Sequence, residues 1–177
     1  EIMPSLVGSE MCIRDRWLVA LDWEFGVGQV LWPTMRDWLP MSEVASILWY
    51  RKAAPEIPSV INFKNGSRIE FKSADSGRKK FQGAPLHFVG VDEEIDGDVV
   101  EECCARLVRH GGDFWAALTP LRRERWVFDK EKERGAIVIR SSMSQAAKAG
   151  ILDSDAVDGF LETLPENQRR VRDMGDY

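Results

Sequence analysis

Hydrophobic positions fall in short blocks set off by polar punctuation, and their spacing predicts alternating strands and helices. Residues 17–22 (WLVALD) form an unbroken apolar run ending in an acid, as expected of a strand buried on both faces. Residues 24–39 follow at mostly helical spacing, with Pro33 as a kink or break. Pro40, Pro55 and Pro58 punctuate the next stretch. Residues 59–64 and 67–73 alternate apolar and polar around Asn65-Gly66. That pair predicts a hairpin, because both central residues of its tight turn must accept positive φ. Residues 86–91 (LHFVGV) and 113–118 (DFWAAL) predict two more buried strands, and 136–140 (AIVIR) a further one. Between them, residues 98–108 are helical, with Asp98 as cap and Glu101 completing a capping box. Residues 121–132 read as a charged helix, and 153–173 as two helices parted near Pro165. The pattern predicts an α/β fold with a mostly parallel sheet, flanking helices and one β-hairpin.

Composition narrows the picture only by exclusion. The 177 residues are 44% hydrophobic and 30% charged, which is ordinary for a globular domain. The apolar runs fall far short of the ~20 residues that span a bilayer, so no membrane partner is expected. A net charge of −5 means that any nucleic-acid contact must come from a local patch. Three cysteines and two histidines, with no Cys-x-x-C, make neither a disulfide framework nor a zinc site. Residues 6–16 (LVGSEMCIRDR) look like the in-frame translation of a transposon-based sequencing-library adapter. Residues 1–16 are therefore set aside as non-native, and 17–177 are taken as the protein.

The chemistry concentrates in HFVGVDEE, residues 87–94. Ligands of open α/β sheets bind outside the carboxyl ends of the strands, where a strand ending in carboxylates holds them rigidly. Phosphate-loop NTPases need two acids there, one beside the metal and one beside the attacking water. Asp92 and Glu93 are placed for those jobs, with Glu94 in reserve. The plainer alternative is an acidic loop capping the next helix. Thr119-Pro120 closes the following strand, where a hydroxyl could sense a terminal phosphate.

Together these segments resemble the ATPase domain of a tailed-phage-type viral terminase large subunit. The resemblance is carried by WLVALD, VINFKNGSRIEFKSADSG, FQGAPLHFVGVDEE, the strand end LTP and the late PENQRRVRDMGDY. It implies an ASCE-type fold using ATP and Mg2+. By resemblance Asp92 holds magnesium through water, Glu93 is the catalytic acid, and Leu118-Thr119-Pro120 couples hydrolysis to DNA movement. An arginine offered to the neighbouring subunit would be Arg78, although Gln82 competes for that position. The implied partners are double-stranded viral DNA, a portal protein, a small terminase subunit and further copies in a ring. The implied place is the host cytoplasm, docked transiently on a procapsid.

No G-x-x-x-x-G-K-[ST] occurs in the chain. Residues 17–177 are thus expected to be a partial ATPase domain without its phosphate loop or the family's nuclease domain, and inactive alone. Two alternatives stay open: another helicase-like or ring NTPase, and a non-catalytic nucleic-acid-binding or assembly module. Lys64, Arg68, Lys72, Lys79 and Lys80 form a basic stretch that either contacts DNA phosphates or covers a solvated hairpin. Trp17, Trp32, Trp38 and Trp115 sit in apolar runs and read as core, as do Cys103 and Cys104. His87 reads as structural.

Overall fold

The computed structural model describes residues 14–53 and 56–174. The adapter-like residues up to 13 and the final Gly175-Asp176-Tyr177 lie outside them. The chain divides into two compact units, Glu1–Ala117 and Leu118–Tyr177.

The first unit is built on a six-stranded sheet in the order β2-β3-β4-β1-β5-β6. Its strands are β1 (Asp15–Ala20), β2 (Val44–Arg51), β3 (Ile57–Phe63), β4 (Arg68–Ser73), β5 (Phe88–Asp92) and β6 (Asp113–Ala117). β4, β1, β5 and β6 run parallel, while β2 and β3 extend the sheet antiparallel. The mixed α/β architecture expected from the pattern is thus present. β1 begins at Asp15, so its first two residues, Asp15 and Arg16, come from the stretch set aside as adapter.

The hairpin joins β3 to β4, as Asn65-Gly66 predicts, but by a different turn. Only Gly66 takes positive φ (84°), and Phe63 N–H donates to Ser67 O at 2.9 Å. A three-residue loop with glycine in the left-handed position follows, in place of the tighter turn with two such residues. β2 was hidden by its flanking prolines. Pro58 sits inside β3 opposite Trp49, where the β2–β3 register shifts, and a bulge tolerates the missing N–H.

Alternation along the strands divides the core. Ala20, Ile57, Ile61, Ile69 and Phe71 pack on one face against Val27 and Trp32. Those two come from a π-helical stretch, Trp23–Leu31, that runs on as α1 (Trp32–Trp38). Asp22 starts the π turn: its carboxylate accepts from Phe25 N–H at 2.7 Å, and its carbonyl accepts from Val27 N–H at 3.1 Å. A Cβ at Gly26 would stand 2.6 Å from that of Ala20, so the helix approaches β1 this closely only with glycine. Pro33 is the second residue of α1, so the helical stretch runs on through the position expected to kink or break it. On the other face Trp17, Val19, Val89 and Val91 are buried, with α2 (Gly97–Leu107) supplying Val99, Val100, Cys103 and Leu107. The cap position of α2 is Asp96, not the expected Asp98.

The second unit holds α3 (Arg125–Glu131), α4 (Met143–Lys148), α5 (Ser154–Thr163) and α6 (Glu166–Met174). Ser142 and Gln145 make a reciprocal capping box on α4. Ser144 donates to Asp173 through both its N–H and its hydroxyl, each at 2.8 Å, tying α4 to α6. The expected strand at 136–140 is absent: the segment is irregular, and Ile137 is 87% exposed. An alternating apolar run becomes a strand only where a neighbour takes its backbone groups. No described helix is long and apolar enough to cross a membrane.

Two tryptophans depart from the core reading. Trp17 and Trp32 are buried, but Trp38 and Trp115 are exposed. Trp115 lies on β6, an edge strand, and shares its face with Phe88, whose ring centroid is 6.3 Å away. Parallel strands ordinarily have both faces covered, and here one face of β5–β6 is bare beside an open edge. Trp115→Lys should therefore suppress concentration-dependent association, seen by light scattering, without lowering Tm, because the ring is already 69% exposed.

Candidate functional site

β5 ends at Asp92, the last residue of its parallel ladder, directly opposite Ala117 of β6. Its side chain points to the face of Phe88 and Gly90, beside the bare surface. Asp92 is partly buried, and that burial raises its carboxyl above the ordinary aspartate value. Glu93 follows with φ at 68°, left-handed backbone that a non-glycine residue adopts at a cost. A backbone bond fixes the kink: Glu93 N–H donates to Ala117 O at 2.8 Å. The kink turns Glu93 outward to solvent and sends Glu94 inward, where it is 2% exposed. The three consecutive acids thus occupy three environments: half-buried, exposed and buried. The helix that follows begins at Gly97 with Asp96 at its cap position, so residues 92–94 are not its cap.

Thr119 lies two residues past β6, in the second unit. Arg78 opens a short 3-10 turn, Arg78–Phe81, and is committed to α2. Its Nε stands 3.3 Å from Glu102 Oε2, and its Nη1 3.8 Å from Glu101 Oε2. The nearly buried Glu102 also takes Arg106 Nη2 at 2.8 Å, and Arg106 Nη1 donates to Gly83 O at 2.8 Å. Glu102 thereby clamps the segment before β5 to the helix after it. The i,i+4 spacing of Glu102 and Arg106 is legible in the sequence; the Arg78 contact, across 24 positions, is not.

The basic stretch separates into two groups. Lys72 is spent internally, 3.0 Å from Glu70 Oε1, 3.0 Å from Lys80 O and over the Trp17 ring at 4.4 Å. Arg68 also pairs with Glu70, at 3.2 Å. Lys64, Lys79 and Lys80 are exposed. Burial pushes the Cys103 thiol up to about 12, which leaves it inert as a nucleophile. His87 stacks on His110 at 4.1 Å and accepts from Asp15 N–H, a packing role.

Among the described residues no group of three or more His, Cys, Asp or Glu could hold a metal ion alone. Magnesium in nucleotide sites needs less, since one or two carboxylates suffice when phosphates and water complete its shell. Asp92 fits that share. Nothing in the chain matches a phosphate loop.

Residues 48–133 match a family model described as the N-terminal part of the T4likevirus-type terminase large subunit. Just under half of the chain is thus similar to the terminase large subunits. A solved structure of the large terminase from a thermophilic bacteriophage superimposes with a TM-score of 0.67 at 14% identity. The superposition covers 93% of this chain and 41% of that one, so the likeness is of fold over less than half the relative's length. No curated protein matches. The match over 48–133 takes in β3, β4, the Arg78 turn, β5, α2 and β6, so the acidic strand end lies inside the matched region.

Two outcomes follow from the local physics. Glu93→Gly should stabilise the fold by up to about 1 kcal/mol in urea melts, since left-handed backbone costs a non-glycine residue roughly 1–2 kcal/mol and glycine's entropy returns part of that. Asp92→Asn should raise Tm at neutral pH and leave it unchanged in acid. The carboxyl titrates higher folded than unfolded, so burying it penalises the native state once pH rises through the folded pKa; below the unfolded value the penalty is absent.

Proposed function

We propose that this chain supplies the acidic half of the nucleotide site in a DNA-packaging motor ATPase. The observation that carries the proposal is the strained Glu93, fixed next to a half-buried Asp92 at the carboxyl edge of a parallel sheet. Backbone strain of this kind persists where its surroundings impose it, and it clusters at functional sites. A helix cap needs no such strain.

Bound ATP and magnesium would supply a polarised terminal phosphate. Asp92, the shorter acid on the rigid strand end, holds the metal side through water. Glu93, one residue farther out and solvent-facing, orients the attacking water and receives its proton. Glu94 is turned inward and has no part in the step. Thr119 is the proposed phosphate sensor, reached by the chain as it leaves β6. The phosphate cradle must come from a segment carrying a G-x-x-x-x-G-K-[ST] loop that these residues lack. The bare face and open edge of β5–β6 are consistent with a further strand and helix packing there. Residues 17–177 are then one part of the ATPase domain, working in a ring of copies on double-stranded viral DNA. Portal protein and small terminase subunit are its partners on a procapsid in the host cytoplasm.

Arg78 remains the proposed arginine for a neighbouring subunit. To serve there it must exchange Glu102 for nucleotide phosphate.

The test uses a longer protein that carries the loop upstream. Glu93→Gln should cut phosphate release ~100- to 10,000-fold while ATP affinity holds. Asp92→Asn should weaken magnesium-dependent ATP binding as well. Normal turnover in Glu93→Gln overturns the assignment, and loss in Glu94→Gln alone moves the role by one residue.

A further inference from the structure

A cavity of about 290 Å³ opens at the carboxyl end of β4. It is two strand positions from Asp92, with β1 between, and none of Asp92, Glu93 or Glu94 lines it. One wall is aromatic. Trp23 and Tyr50 stack at 4.5 Å and within 7° of parallel, and Tyr50 is more than half exposed. Ser76 and Lys80 also line the cavity. Neither the Ser76 hydroxyl nor the Lys80 ammonium has a partner among the described residues.

Glu70 is the one carboxylate among the lining residues, and it is over-neutralised. Its oxygens take Lys72 Nζ at 3.0 Å, Arg68 Nη2 at 3.2 Å and Trp17 Nε1 at 3.1 Å. With Lys80 added, the local balance is positive although the whole chain is at −5. The cavity therefore offers a flat π surface, a free cation, a free hydroxyl and an apolar lining in Val60 and Phe71. Its volume is near the ~300 Å³ lower end of small-ligand sites. A planar ring that carries an anionic group complements each of these features.

We propose that this cavity binds one nucleotide unit, its base against the Tyr50–Trp23 wall and its phosphate toward Lys80 and Ser76. The unit is either a free nucleotide or one residue of a nucleic-acid strand; stacking and a single cation would read both without regard to sequence. The binding is independent of the metal-dependent site proposed at Asp92, and it needs no magnesium.

The experiment titrates the whole chain, in EDTA, with thymidine monophosphate and separately with a short single-stranded oligothymidylate. The readout is tryptophan fluorescence, because Trp23 forms part of the wall. Saturable quenching is expected. Comparable affinities for the two probes assign the site to free nucleotide; much tighter oligothymidylate binding assigns it to a strand. Tyr50→Leu, at an exposed position, should weaken binding about tenfold, the scale of one lost stacking contact. Lys80→Ala should weaken it too, and should reduce the salt dependence for the strand by about one ion. Unchanged Tm in both variants separates lost binding from lost fold. No saturable quenching by either probe overturns the proposal, as does binding that survives both substitutions.

Discussion

β1 is the strand on which the first unit depends. Both of its neighbours, β4 and β5, run parallel to it, and its side chains are claimed alternately by the two layers that cover the sheet. Trp17 and Val19 face the α2 side, and Ala20 faces the π-helical side. Six residues therefore have to satisfy two hydrogen-bonded ladders and two apolar layers at once. A one-residue slip would exchange the faces and expose the core. That fixed register aligns the carboxyl ends of β4, β1 and β5 along one edge of the sheet. At that edge the chain makes its turn at Asp22, its kink at Glu93 and its cavity below Tyr50. Asp15 and Arg16 contribute to the same strand, so the ladder continues into residues whose sequence looks foreign. Backbone pairing explains this: a strand end extends over any residue that can take extended φ and ψ.

The acidic end of β5 trades stability for position. A carboxylate at Asp92 would be better solvated elsewhere, and Glu93 would be less strained as glycine. Both costs are met by the surrounding ladder, including the bond from Glu93 N–H to Ala117 O. Such local conflict with folding preference belongs at sites where chemistry, not packing, sets the requirement. Glu94 shows the contrast. It is turned into the fold by the same kink, so two adjacent acids take opposite environments that sequence adjacency leaves open.

How much was legible follows from which signals are local. The β3–β4 hairpin, β5, β6 and the α5–α6 break at Pro165 rest on short-range periodicity and turn chemistry, and all are present. Asp92 and Glu93 were legible as a strand end for the same reason. β2 was not, because Pro40 and Pro55 on either side of it read as punctuation. The segment 136–140 failed in the opposite direction, having strand periodicity without a partner ladder. Trp38 and Trp115 were misread because a hydrophobic run says nothing about which of its faces is covered. The positive φ of Glu93 accompanies a bond to Ala117, more than twenty residues away, so no local pattern announces it. The aromatic wall likewise joins Trp23 to Tyr50 across the sheet.

The Glu102 clamp bears on how the acidic end and the basic turn act together. α2 begins four residues after Glu93 and carries Glu102 one and a half turns later. Glu102 binds Arg78, which precedes β5, and Arg106, which in turn holds Gly83 O. The loop entering β5 and the helix leaving it are thereby one mechanical piece. A bidentate acid between two guanidiniums resists small displacements, because losing either partner leaves the other beside a nearly buried charge. Any movement of the Glu93 kink that tilts α2 must either carry Arg78 with it or break this contact. The first outcome moves the basic turn as a rigid extension of the acidic site. The second frees a guanidinium at the moment the acidic site changes. In both, the Arg78 guanidinium is governed by the backbone one helix away, which gives a strained residue at a strand end a mechanical reach its own side chain lacks.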